Sequence, residues 1–96
     1  MEYKTYNTMQ KMKILILGNS SIFRRKIYYS LKAIKNLTIE IASKSKKNIK
    51  DSIKYYNSYE EALKNSDAEI VYISLINSDH LKWGLKTLNY NKHLII

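Results

Sequence analysis

The sequence predicts an α/β domain built on a parallel sheet, and three observations carry that prediction. Short apolar runs recur along the chain: "KILIL" (13–17), "LTIEIA" (37–42), "EIVYIS" (69–74) and "HLII" (93–96). Between them lie stretches whose apolar residues repeat at helical spacing. The first run ends in a glycine and two serines, as a strand does when it turns into a helix. Strands that alternate with helices pair side by side through right-handed crossovers, which makes their sheet parallel.

Taken in order, residues 1–11 are polar, lack a clear period and are expected to form a loose leader; residues 12–96 make the domain. The run at 13–17 is continuously apolar, which suits a strand covered on both faces. Ser20 and Ser21 are N-cap residue types. From Ile22 the positions Phe23, Ile27, Leu31 and Ile34, with Tyr28 beside them, follow helical spacing to about Lys35, where Asn36 ends the helix. A second strand covers 37–42. A basic connection follows, and "IKYY" (53–56) is a short third strand. Ser58 and Glu61 have capping-box spacing and open a helix over 59–65. The fourth strand is 69–74. Ser78 or Asp79 can cap the next helix, which runs to about Tyr90 with Leu81, Leu85 and Leu88 recurring along it. The fifth strand is 93–96. The model that fits is a Rossmann-like three-layer sheet of order 3-2-1-4-5 with helices on both faces. Ligands of such sheets bind beyond the carboxyl ends of the strands, at the switch point between the first and the fourth. That puts residues 18–23, 43–46 and 75–80 on one rim.

Composition narrows the function classes. A chain of 96 residues makes one small domain, and an apolar fraction of 45% is normal for a folded one. There is no cysteine, so disulfide scaffolds and thiolate metal sites are excluded. No apolar run approaches a membrane span, and the N-terminus lacks a signal-peptide centre, so the expected location is cytoplasmic and no membrane partner is expected. The formal charge is +9. It fits a polyanion partner, or the Lys-, Ile-, Asn- and Tyr-rich composition of an AT-rich genome. The lysines are spread along the chain rather than clustered, which favours the compositional explanation. With no helix-turn-helix, RNP-like or zinc spacing, nucleic acid is disfavoured as a partner.

The turn at "GNSSIF" (18–23) is the first candidate site. In a dinucleotide fingerprint one glycine makes the tight turn, a second admits the pyrophosphate and a third lets the helix pack close to the strand. Here those positions are Gly18, Ser20 and Phe23, so only the first glycine is kept. Serine can itself bond a phosphate. Phenylalanine must push the helix outward, turn its ring into the crevice or fill core volume. Arg24 and Arg25 stand in the first helical turn, where a bound phosphate would offset an unfavourable dipole, or where they simply point into water. After the second strand come Ser43, Lys44 and Lys46. A hydroxyl with cations suits a ribose 2′-phosphate, or is a solvated lysine loop.

Residues 55–96 resemble the N-terminal domain of the Gfo/Idh/MocA oxidoreductases, the glucose–fructose oxidoreductase and inositol dehydrogenase family. The family's Y-x-S-[YF]-E-E-L-L segment is matched at 56–63, its D-x-D-x-V-Y-I-[SA] strand at 67–74 and its P-N-x-x-H turn at 76–80, with Ile76 in place of the proline. A-L-x-A-G-K-H-V is matched loosely at 84–94, and the opening turn fits a subgroup with S-S-I-A-x-R. The resemblance implies an NAD(P)-binding domain of an enzyme acting on sugars, cyclitols or related alcohols, and the loop at Ser43 and Lys44 puts NADP ahead of NAD. It implies that Gly18, Ser20, Ser21, Ile22 and Phe23 face the pyrophosphate. Ser43 and Lys44 would then face the adenosine ribose, and Ser74, Leu75, Asn77 and His80 would lie toward the nicotinamide.

In that family the strand matching "HLII" runs into an E-K-P motif whose lysine serves hydride and proton transfer. The sequence stops at Ile96, before that motif. The expectation is therefore a shortened domain without turnover on its own, with no catalytic residue and no metal ligand assigned. The alternatives are a non-catalytic nucleotide- or partner-binding module and, behind it, a basic nucleic-acid-associated protein. Without a further domain the apolar fifth strand leaves an uncovered edge through which the chain can self-associate.

Overall fold

The computed structural model describes residues 11–95. Five strands form one all-parallel sheet: β1 (Met12–Leu17), β2 (Leu37–Ala42), β3 (Lys54–Tyr56), β4 (Ile70–Ile73) and β5 (His93–Ile95). Their spatial order is β3-β2-β1-β4-β5, the order expected of a Rossmann-like sheet. Register is set along the central strand, where Leu15 stands opposite Glu40 on one side and Val71 on the other. The leader over residues 1–10 and Ile96 at the end of the fifth run lie outside the described residues.

The two faces of the sheet hold two separate cores. Leu15, Leu17, Ala42, Val71 and Ile73 pack with Ala62, Leu63 and Ala68 on one face. Ile14, Ile16 and Ile41 pack with Phe23 and Ile49 on the other. Strand alternation produces this split, since successive residues of β1 point to opposite faces. The first core is covered by α2 (Tyr59–Asn65) and α3 (Asn77–Asn89). A single helix, α1, covers the second. It spans 21–32 and is wound in two ways: Phe23–Ile27 is a π-helix, closed by the Tyr28 N–H donating to the Phe23 carbonyl, and Tyr28–Lys32 is α-helical.

Local chemistry explains where the helices begin and end. Ser20 caps α1, its Oγ accepting from the Phe23 N–H at 3.1 Å. Ser58 caps α2 in the same way through the Glu61 N–H at 3.3 Å. Asn36 and Asn91, with φ of 67° and 59°, turn the chain after α1 and α3, a conformation asparagine tolerates better than most residues.

Helix α3 departs from expectation twice. Neither Ser78 nor Asp79 caps it: the helix starts at Asn77, Ile76 holds the cap position, and the Asp79 N–H already donates to the Ile76 carbonyl. Both residues lie inside the first turn, where the Asp79 carboxylate complements the helix dipole. Its buried face is also not the leucine stripe. Leu81, Leu85 and Leu88 are 71%, 54% and 53% exposed, whereas Thr87 is fully buried and Trp83 packs on the first core. The helix approaches β5 too closely for large side chains: a Cβ on Gly84 would sit 3.3 Å from the Leu94 side chain.

Candidate functional site

The carboxyl ends of β1 and β4 meet at a cleft of about 620 Å³, lined by residues of the β1–α1 turn, the end of β4 and the start of α3, with Lys44 at its margin. Gly18 makes the turn. Its φ is +98°, and a side chain there would run into the Ser74 carbonyl and the Leu75 side chain. Only glycine takes that conformation without strain. The end of β1 is tied on both sides at this point, since the Gly18 N–H donates to the Ala42 carbonyl of β2 and the Ser74 N–H, just past β4, to the Leu17 carbonyl, each at 2.8 Å.

Ser20 follows on the same rim. Its Oγ lies 2.5 Å from the Ser74 Oγ, a bond that links the two loops of the switch point. Asn19 donates through Nδ2 to the Lys47 carbonyl at 3.2 Å, while its Oδ1 is buried without a partner among the described residues. The turn therefore combines a glycine cradle, hydroxyl groups and an unsatisfied amide oxygen beside an open cleft. These features fit a polar, hydrogen-bonding ligand at the end of β1.

The predicted site residues divide into two groups. Gly18, Ser20, Ile22, Lys44, Ser74, Leu75 and His80 line the cleft. Ser21 is exposed outside it, its carbonyl accepting from Arg25 Nε. Phe23 is 1% exposed and belongs to the second core, its ring 6.2 Å from Tyr28 and 6.3 Å from Tyr72 between centroids. Its ring lies between helix and sheet and does not line the cleft. Ser43 stands at the end of β2, its Oγ engaged by the Ser45 N–H and its carbonyl by the Tyr55 hydroxyl. Asn77 opens α3, and its side chain lies outside the described residues. Arg24 and Arg25 both turn back on the first loop: Arg24 Nη1 donates to the Asn19 carbonyl and Arg25 Nε to the Ser21 carbonyl.

Asn19, Tyr59, Tyr72, Ile73, Ile76 and Asp79 also line the cleft, and the sequence did not assign them to a ligand. Asn19 had a signal, since a residue between the turn glycine and the helix must stand on the rim. Asp79 and the phenol-bearing Tyr59 both line the cleft. Burial, then the Asp79 charge, pushes that phenol above its ordinary range, so Tyr59 stays protonated and able to donate. Among the described residues no group of three or more His, Asp or Glu could hold a metal ion. A second cavity of about 350 Å³ opens at the opposite end of the sheet, by Lys13, Thr38 and Asp67, remote from the strand ends that carry the turn.

Solved structures share this architecture. KijD10, a 3-ketoreductase from Actinomadura kijaniata whose structure contains NADP and TDP-benzene, matches with a TM-score of 0.80 at 22% identity, over 90% of this chain and 28% of its own. The apo scyllo-inositol dehydrogenase from Lactobacillus casei matches with a TM-score of 0.72 at 18% identity, over 88% of this chain and 27% of its own. The chain shares their fold. Both are oxidoreductases of the type that residues 55–96 resemble. The chain spans little more than a quarter of the length of each. No family model matches the sequence. No helix among the described residues is long and apolar enough to cross a membrane.

Proposed function

We propose that the chain binds a nicotinamide dinucleotide, NADP ahead of NAD, as the nucleotide-binding domain of an oxidoreductase acting on sugars, cyclitols or related alcohols. The observation that carries this reading is the Gly18 turn. A left-handed glycine, followed by a helix that Ser20 caps, opens into a cleft between the ends of β1 and β4. That is where parallel sheets of this order take dinucleotides. Gly18, Ser20 and Ile22 would stand at the pyrophosphate, supported by the N-terminus of α1. Ser43 and Lys44 would take the adenosine ribose and its 2′-phosphate. Ser74, Leu75, Asn77 and His80 would lie toward the nicotinamide end. The cofactor would supply hydride chemistry, and this chain its binding and orientation. KijD10 with NADP and the inositol dehydrogenase support the cofactor and the substrate class.

Calorimetric titration with NADPH and NADH tests the reading, with NADPH expected to bind more tightly. Lys44→Glu puts a carboxylate against the 2′-phosphate, so its NADPH affinity should fall about tenfold or more while NADH is held. An unchanged preference would remove Lys44 from the ribose site. If neither nucleotide binds, the partner-binding module becomes the better reading.

A further inference from the structure

We infer that Ser74 is a positioning residue for the pyrophosphate, acting through the hydroxyl of Ser20. This inference rests on the dinucleotide reading above. A serine hydroxyl has one hydrogen to donate and two lone pairs to accept with. The Phe23 N–H occupies one lone pair of Ser20 Oγ at 3.1 Å. The Ser74 Oγ, 2.5 Å away, is the second partner, and either hydroxyl can be the donor.

The two directions have different consequences. If Ser20 donates to Ser74, its hydrogen is spent, and the one lone pair it has left cannot serve an anion. If Ser74 donates to Ser20, both lone pairs of Ser20 are filled and its own hydrogen is free to turn to the cleft. An anion in the cleft selects the second direction. The chain then runs from the Ser74 hydroxyl to the Ser20 hydroxyl to a phosphate oxygen, and each bond polarises the next.

Ser74 is well placed for this part. It sits at the end of β4, its N–H bonded to the Leu17 carbonyl and its own carbonyl packed against Gly18. Ser20 is held by the Arg24 N–H on its carbonyl and the Phe23 N–H on its side chain. In the glycine-rich form of this turn the position of Ser20 carries no side chain and the backbone approaches the phosphate. Here a hydroxyl stands in that space, and its usefulness depends on which way its hydrogen points. Ser74 sets that direction from another strand.

The test is a cycle read in NADPH affinity, with thermal melts confirming that each protein is folded. Ser74→Ala should weaken NADPH binding about five- to twentyfold in the wild-type background. Ser74→Thr, which keeps the hydroxyl, should bind within about twofold of wild type. The decisive pair carries Ser20→Gly, a substitution that a helix cap position tolerates well. With no hydroxyl to orient, adding Ser74→Ala to Ser20→Gly should leave affinity unchanged. A Ser74→Ala protein that binds like wild type overturns the inference and leaves the dinucleotide reading standing. So does a Ser74→Ala loss that persists in full in the Ser20→Gly background, since it would reflect a contact independent of Ser20. A wild-type protein that binds no dinucleotide overturns both.

Discussion

Phe23 shows what a single residue can and cannot announce. Its position relative to Gly18 marks it as a departure from the glycine-rich turn, and that is plain in the sequence. Where its ring goes is not, because the choice among core, crevice and a displaced helix depends on the space beneath α1. The structure puts it in the second core, packed with Ile14, Ile16, Ile41 and Ile49. Phe23→Ala should therefore destabilise the fold by about 3–5 kcal/mol rather than improve ligand binding. A domain of this size has little more than that in total, so the variant should melt far below the wild type or fail to fold. A folded Phe23→Ala protein with tighter NADPH binding would mean that the ring obstructs the cleft after all. Ser20 is the converse case. Its identity as a cap was legible, but its bond to Ser74 joins residues 54 apart and depends on register between β1 and β4.

At the scale of elements, the strands were the most legible part. β2 and α2 occupy the residues that spacing and capping chemistry indicate. Helix α3 was misread in its facing, for a reason that hydropathy does not carry. Leu81, Leu85 and Leu88 form the more apolar stripe, yet the helix buries Trp83, Gly84 and Thr87. What decides the facing is how near the helix axis comes to β5, and small residues alone permit that approach. Leu85→Lys should consequently change stability by no more than about 0.5 kcal/mol. Gly84→Leu, at the point of closest approach, should lower it by about 1–3 kcal/mol through overpacking against Leu94. Denaturant midpoints of the two variants provide the comparison, and equal effects would contradict this facing.

Over the whole molecule, charge governs behaviour that no single element controls. The Lys86 hydrogen bond, then that of Tyr90, holds the Glu60 carboxyl below its ordinary range, and the Lys13 hydrogen bond does the same for Asp67. Carboxyls with depressed folded-state values contribute stability above their unfolded values and lose it as pH falls through the folded ones. On the alkaline side, the Asp67 bond raises Lys13 and the Glu60 bond raises Tyr90, so their contribution is lost as pH rises past the usual lysine and tyrosine range. Melting temperature should thus hold a plateau around neutrality and fall as pH drops through the ordinary carboxylate range, about 4, toward the lower values at which these carboxyls protonate in the fold. Glu60→Gln with Asp67→Asn should flatten the acid limb, and an unaltered limb would assign it to other groups. Charge also bears on association. The edge at β5 carries Ile95, 45% exposed, but a net +9 repels a second copy. Self-association through this edge should rise with salt as repulsion is screened. Sedimentation at two ionic strengths would show it, and association that weakens in salt would point to ionic contacts instead.

The strand order has a consequence for the chain during synthesis. β1 is the central strand, yet it is the first of the five to leave the ribosome. β2 can join it soon afterwards, but its other neighbour is β4, and Ile14 waits 56 residues for Ile70. At translation rates of about 5–20 residues per second that is roughly 3–11 s in which one edge of a largely apolar segment has no partner. The part of the sheet that ends most completely buried is therefore the part that spends longest half-paired. A nascent chain stalled before β4 should expose β1 to protease and to holdase chaperones, and one extended past it should not.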